Sequence, residues 1–175
     1  MHVDEFVRGK GLFRLTPYVE TDERTTRKYP LILTTGRILS QYNVAAQTRR
    51  TENMQWHDED IVEIHPHDAE QRGIEHGDWV GLKSRAGDTV LRADVTERVQ
   101  PGVVYTTFHH PESGANVVTT DNSDWATNCP EYKVTAVQAY KVTQLSEWQE
   151  KFEEFTEEQL EHLRKAKTPT QATSV

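Results

Sequence analysis

Between residues 29 and 142 short apolar runs recur, each stopped by glycine, proline or a polar cluster. "YPLILTTGR" (residues 29–37) is a buried-strand pattern bounded by Pro30 and Gly36. "EDIVEIHP" stops at Pro66. "DWVGLKSR" and "DTVLRADVTER" are two further strands joined through Ala86-Gly87. "GVVYTTFHH" is a fifth strand and "EYKVTAVQAYKV" a sixth. Six strands with almost no long helix between them predict a mainly β chain that closes into a six-stranded β-barrel, with short helices in the connections.

One connection is readable in detail. In "IHPHDAEQRGIEHGDWV" the acidic residues after Pro66 favour a helix start, so a short helix is expected over residues 68–72. Gly73 supplies its left-handed end, and His76-Gly77-Asp78 turns the chain into the next strand. Residues 1–28 are polar and weakly patterned, with scattered anchors at Leu12, Phe13, Leu15 and Tyr18. They predict an extended lead-in arm, arriving from an upstream domain, rather than a folded unit.

Residues 143–175 have helical periodicity. Leu145, Trp148, Phe152 and Phe155 form one stripe, continued by Leu160 and Leu163. Ser146 with Gln149, and Thr156 with Gln159, fit capping boxes. The pattern predicts two short amphipathic helices, at 147–155 and 157–166, with a disordered end, "TPTQATSV". The barrel pattern is complete by Val142, and "TQLSE" can act as a hinge. The stripe is therefore expected to dock away from the barrel.

The chain has 175 residues and a formal net charge of −8, which argues against a nucleic-acid partner. A local basic pocket for one anion remains open, because site chemistry is local. There is a single cysteine, Cys129, so neither an internal disulfide nor a CxxC metal site is available. A reducing, cytoplasmic setting and no membrane partner are the expectation: no apolar run approaches the ~20 residues of a membrane span. Cys129-Pro130 is expected as a buried small hydrophobe.

Candidate chemistry begins at "LTTGR". A glycine lets backbone approach a ligand, backbone N–H groups at such a turn attract anions, and arginine adds a planar donor fork. A tight turn with a surface arginine fits the same residues. "SQYNVAAQTRR", rich in amides and hydroxyls, suits a loop that hydrogen-bonds a polar ligand; an ordinary polar loop has the same composition. His109 and His110 are adjacent and diverge on an extended chain. With His65 and His67 they lack the acidic or thiolate ligands of a zinc site, so no metal ligand is expected. No Ser/His/Asp set, Walker loop or GxGxxG is present.

Four segments, "YPLILTTGRILSQYN…TRR", "DIVEIHPHDAEQRGIEHGDWV", "VVYTTFHHPESGANVVTTD" and "NCPEYKVTAV", occur in one order across most of residues 29–142. Together they resemble the C-terminal molybdopterin-dinucleotide-binding domain of the dimethyl-sulfoxide-reductase family. Within it they look most like the α subunit of soluble NAD-dependent molybdenum formate dehydrogenases. The resemblance implies a double-psi β-barrel that holds bis(molybdopterin guanine dinucleotide) with molybdenum. By motif matching, the cofactor loop is Thr35, Gly36, Arg37, Ile38, Leu39, Ser40, Gln41, Tyr42 and Asn43. Phe108, Asn116, Tyr132 and Lys133 match further cofactor-contacting positions.

The resemblance also implies what lies elsewhere. The family's molybdenum-ligating cysteine, catalytic histidine and arginine and iron–sulfur cysteines match nothing here, so no catalytic residue is expected in this chain. Formate oxidation to CO₂, iron–sulfur clusters and NAD would belong to upstream domains of the same α subunit and to electron-transfer subunits. The alternatives are a non-catalytic double-psi interaction module docking through its acidic tail, and the cofactor domain of another molybdopterin oxidoreductase such as a nitrate reductase.

Overall fold

A computed structural model describes Asp4 and residues 7–167. The six expected strands are present: β1 Leu31–Gly36, β2 Ile61–Ile64, β3 Trp79–Lys83, β4 Asp88–Val95, β5 Val103–Thr107 and β6 Thr135–Lys141. They close into a barrel in the order β1-β5-β2-β4-β3-β6. Two neighbouring pairs are parallel, β1 with β5 and β2 with β4, and the other four are antiparallel. This mainly β fold is the double-psi barrel. Closure leaves no long unpaired strand edge.

Alternation fixes which side chains fill the barrel. Leu31, Leu33 and Thr35 of β1 point inward, as do Val62 and Ile64 of β2. The aliphatic ones meet Val80, Leu82, Val104 and Val137 in one apolar cluster. A one-residue slip in any strand would turn these side chains to water, so burial pins the register.

The short helix, α1, spans Pro66–Glu70, starting two residues before the expected position. Pro66 takes the first helical position, where its missing N–H costs nothing, and the His65 Nδ1 accepts from the His67 N–H at 3.2 Å. Gly73 follows with φ +61°, the left-handed geometry expected of it. Asp68 of α1 is buried and accepts from the Gly102 N–H at 2.6 Å, tying the helix to the start of β5.

The tail differs from expectation in two ways. It is one helix, α2, over Glu147–Lys167, not two. The first capping box forms: Ser146 Oγ accepts from the Gln149 N–H at 3.3 Å, and Gln149 Oε1 accepts from the Ser146 N–H at 3.1 Å. The second does not, because the Thr156 hydroxyl donates to the Phe152 carbonyl at 2.8 Å, inside a continuous helix. The first turns of α2 also pack on the barrel instead of docking away from it. Gln149 Oε1 accepts from the Val90 N–H at 3.0 Å, and its Nε2 donates to the Val90 carbonyl at 2.9 Å. Trp148 stacks on Phe152, with ring centroids 5.1 Å apart, and lies against Gly114. Further out, Phe155 and Leu160 are exposed. The expected disorder of residues 168–175 lies outside the described residues.

Residues 11–20 form no helix or strand, and Phe13 and Leu15 are fully exposed. The end of the arm is tied down. Glu23 is buried, accepts from the Ala136 N–H at 2.8 Å and pairs with Arg85 at 3.0 Å. Cys129 is exposed, contrary to its expected burial. It sits in a loop outside the barrel, held by the Asp124 N–H to Cys129 carbonyl bond (3.0 Å) and by Asn128 at φ +52°.

Candidate functional site

The strand register gathers distant segments at one end of the barrel. Gly36, the last residue of β1, is level with Thr107, the last of parallel β5. The loops that follow, residues 37–47 and 108–117, therefore leave from the same end. Antiparallel β6 begins there too, with Thr135 opposite Leu33. This brings Tyr132 and Lys133 to β1: Thr35 Oγ1 donates to the Tyr132 carbonyl at 2.8 Å, and Lys133 Nζ donates to the Thr35 carbonyl.

Gly36 has a specific structural reason. A Cβ built there would sit 2.6 Å from Cε2 of Tyr105, whose ring crosses the strand end and whose hydroxyl donates to the Arg37 carbonyl at 3.1 Å. The space beside this glycine is filled by Tyr105 and is not open to a ligand. Burial raises the Tyr105 hydroxyl pKa, helped by the negative charge of Glu63, so the phenol stays a donor.

Arg37 is exposed and lies over the Phe108 ring, 5.3 Å from its centroid. Its Nε and one terminal nitrogen donate to Asn43 Oδ1 at 3.1 and 2.8 Å. Asn43 and Ala45 are left-handed, at φ +49° and +54°. Asparagine tolerates that geometry, whereas alanine adopts it at a cost, so the surroundings hold the loop in shape.

The expected loop residues divide by environment. Leu39 and Tyr42 are exposed. Gln41 is buried and braces the loop, accepting from Thr48 Oγ1 at 2.6 Å and donating to the His57 carbonyl at 3.4 Å. Ser40 is also buried, yet its hydroxyl has no protein partner. Ile38 donates its N–H to His109 Nε2 at 3.2 Å. Among the hollows that border this loop, two meet the residues expected at the site. One, of about 210 Å³, is walled by Val44, Phe108, His110, Asn116 and Trp148, and so brings Asn116 into the neighbourhood of Phe108. The other, of about 660 Å³, is bounded by Arg37, Ile38, Ser40, Trp56, Arg98 and Tyr105 among others. Tyr132 and Lys133 line neither hollow and sit at the β1–β6 seam.

Carboxylates near the larger hollow are matched by cations. Glu59 pairs with Arg92 at 2.9 Å, and Glu63 with Arg98 at 2.9 Å. Burial raises the Glu63 pKa, with Arg98 opposing. That leaves Arg37, which forms no ion pair among the described residues, as an available cation at this end of an acidic chain.

Two residues that the sequence did not mark as part of this end organise it. Asp60 is buried just before β2. Its carboxylate accepts from Thr107 Oγ1, the His109 N–H (3.0 Å), the His110 N–H (2.9 Å) and Ser113 Oγ (2.6 Å). His109, fully buried, bonds to the Arg37 loop through both ring nitrogens. In the sequence Asp60 is one of four acids in "HDEDIVE" and nothing singles it out. His110 is buried too, and neither of its ring nitrogens forms a hydrogen bond; its Nδ1 lies 3.5 Å from Glu112 Oε1. His65 and His67 are at α1, apart from this pair, and no cluster of metal-ligating side chains exists among the described residues.

A closed double-psi barrel with an arginine-bearing loop at one end defines a class of ligand-holding domain. The family model for the molydopterin dinucleotide binding domain matches residues 31–136, and the chain belongs to that family. It is thus a molybdopterin dinucleotide-binding domain. It is 37% identical over 145 residues to the F420-dependent formate dehydrogenase 1 subunit alpha of Methanococcus maripaludis, covering 81% of this chain and 22% of the relative. The alpha subunit of Methanocaldococcus jannaschii F420-dependent formate dehydrogenase is 38% identical over 145 residues, with the same coverage. A nitrate reductase of Symbiobacterium thermophilum is 38% identical over 138 residues, 76% of this chain and 18% of the relative. The chain thus spans about a fifth of the length of these relatives. Among solved structures, acetylene hydratase from Pelobacter acetylenicus shares the fold, with a TM-score of 0.59 at 19% identity over 71% of this chain and 21% of its own. No helix among the described residues is long and apolar enough to cross a membrane.

Proposed function

We propose that this chain is the C-terminal cofactor domain of a formate dehydrogenase α subunit. Its barrel-end loops bind bis(molybdopterin guanine dinucleotide), and the whole enzyme oxidises formate to CO₂ reversibly. The observation that carries this is the convergence of the Arg37 loop, Phe108 and Asn116 around the two hollows. The residues fit such a ligand. Arg37 offers a charged donor fork suited to phosphate, Ser40 a buried hydroxyl without a protein partner, and Asn116 an exposed amide. Thr35, Gly36, Ile38, Leu39, Gln41, Tyr42 and Asn43 supply the backbone and bracing of that loop, while Tyr132 and Lys133 buttress Thr35 from β6. When bound, the pterin-held molybdenum supplies two-electron redox chemistry; the protein supplies grip, orientation and local charge.

The formate part is supported by relatives named as formate dehydrogenase α subunits. NAD as acceptor rests on the motif resemblance alone, since these relatives are F420-dependent. Upstream domains of the same subunit, with iron–sulfur clusters, and separate electron-transfer subunits complete this reading, in the cytoplasm. The nitrate reductase match favours a second reading, in which the same domain serves a nitrate-reducing molybdoenzyme.

The test is Arg37→Ala in the full-length enzyme, with pterin, guanine nucleotide and molybdenum content measured. A charged hydrogen bond is worth about 1.5–3 kcal/mol, so occupancy should fall while the barrel stays folded. Arg37→Lys should restore only part, because a point charge does not reproduce the fork. Full content in Arg37→Ala refutes the site.

A further inference from the structure

We infer that His109 is a positioning residue that latches the loop carrying Arg37 in its ligand-ready shape; its link to cofactor binding rests on the proposed function. The imidazole is fully buried, and its two nitrogens bond to opposite ends of one loop. Nε2 accepts from the Ile38 N–H at 3.2 Å, and Nδ1 bonds to the Asn43 carbonyl. A carbonyl only accepts, so Nδ1 carries the proton, and the ring is used as the neutral Nδ1–H form with one donor and one acceptor.

The two bonds bracket Arg37. Ile38 is its immediate neighbour, and Asn43 receives its guanidinium through Oδ1. Between them the loop has little apolar anchorage, with Leu39 and Tyr42 exposed and Asn43 left-handed. Hydrogen bonds must therefore hold its shape. The latch is itself held from behind: the His109 and His110 N–H groups both donate to the buried Asp60 carboxylate, at 3.0 and 2.9 Å. A histidine that merely filled space would not need both nitrogens satisfied by the same loop.

Side-chain geometry separates latch from filler. Asparagine at 109 can place an N–H near the Nδ1 position and keep the bond to Asn43, but does not reach Ile38. Glutamine can place an oxygen near the Nε2 position and keep the bond to Ile38, but lacks the donor to Asn43. Leucine fills volume and makes neither bond.

The first measurement is nitrogen-15 NMR with amide exchange on the 175-residue chain. Expected are a neutral Nδ1–H tautomer at His109 and a slowly exchanging Ile38 amide. In His109→Leu that amide should exchange roughly tenfold faster, while the β1 and β5 amides keep their protection. An Nε2–H tautomer, or unchanged Ile38 protection in His109→Leu, overturns the inference. The second is pterin content of the full-length enzyme for His109→Leu, His109→Asn and His109→Gln beside Arg37→Ala. Loss in His109→Leu, with intermediate content in the Asn and Gln variants, supports the latch. Full content in His109→Leu with loss in Arg37→Ala overturns it and leaves the cofactor site standing. Full content in both removes the site, and the positioning role with it.

Discussion

Gln149 lies seven residues beyond the apparent end of the barrel, yet its replacement by alanine should unfold the barrel at lower temperature. β2 pairs with β4 only from Arg92 onward, so the Val90 backbone groups that face away from β3 have no strand partner on that side. The Gln149 amide takes the place of that strand, receiving the Val90 N–H and donating to its carbonyl. Both residues are at least nine-tenths buried, so water replaces the amide poorly. Each orphaned backbone group costs about 1–3 kcal/mol. Losing the reciprocal cap with Ser146 adds about 1 kcal/mol. Allowing for partial rehydration, the total is about 3 kcal/mol, which for a chain of this size lowers Tm by about 6–12 °C.

The assay is thermal unfolding of the 175-residue chain by circular dichroism, paired with exchange at the Val90 amide. Phe155→Ala, on the exposed part of the same helix, is the control and should stay within about 0.5 kcal/mol of wild type. A Gln149→Ala Tm within the control's range, with Val90 still protected, would refute the role assigned to α2. It would also restore the view that the helix belongs to a partner rather than to the barrel.

Other outcomes follow from single contacts. Gly114 is left-handed at φ +62°, and a Cβ there would lie 2.6 Å from Trp148 Cζ3. Gly114→Ala should therefore cost about 2–4 kcal/mol, combining backbone strain with overpacking, and Trp148→Ala should relieve the overpacking part alone. Additive unfolding energies in the double variant would contradict that contact. Asp78 pairs with Lys141 at 2.7 Å; that hydrogen bond, then one from the Glu75 N–H, holds its carboxyl below the ordinary 3.8. A lowered carboxyl contributes stability in full above its unfolded value and loses it as pH falls through the folded one, so Asp78→Asn should lower Tm at neutral pH and converge on wild type in acid. A Tm difference that persists unchanged into strong acid would exclude this pair as its source. The 175-residue chain should give no formate-dependent dye reduction above buffer.

The barrel was legible because its signals are local. Apolar alternation in "LILTT" and "IVEI", with stops at Gly36 and Pro66, places strands without knowledge of their neighbours. The tail was legible as helix for the same reason. Its division at Thr156 was not, because a capping-box pattern inside a long helix looks the same as one at a helix start; only the Thr156-to-Phe152 bond separates them. Its packing was not legible either, because the vacant position beside Val90 follows from where β2 begins relative to β4. Cys129 illustrates a third failure. Small size and low polarity suggest burial, but the loop that carries it is outside the barrel.

The end of the barrel that carries Arg37 shows where a motif and a mechanism part company. In "TTGRILSQYN" the eye assigns the glycine and the amides to a ligand, yet Gly36 makes room for Tyr105 and Gln41 braces Thr48. The residues that shape the Arg37 loop are Tyr105, Phe108 and His109, about seventy positions away, with Asp60 behind them. They reach it because β5 runs parallel to β1 with the two ends level, which a sequence reveals only after the topology is known. A parallel pair inside a closed barrel has this consequence in general: two loops distant in sequence leave side by side, and one can serve as the mould for the other. Substitutions at Tyr105 or Asp60 would therefore alter the site through the shape of the loop, without touching a ligand. That makes loop exchange rates, rather than ligand contacts, the observable that separates the mould from the surface it shapes.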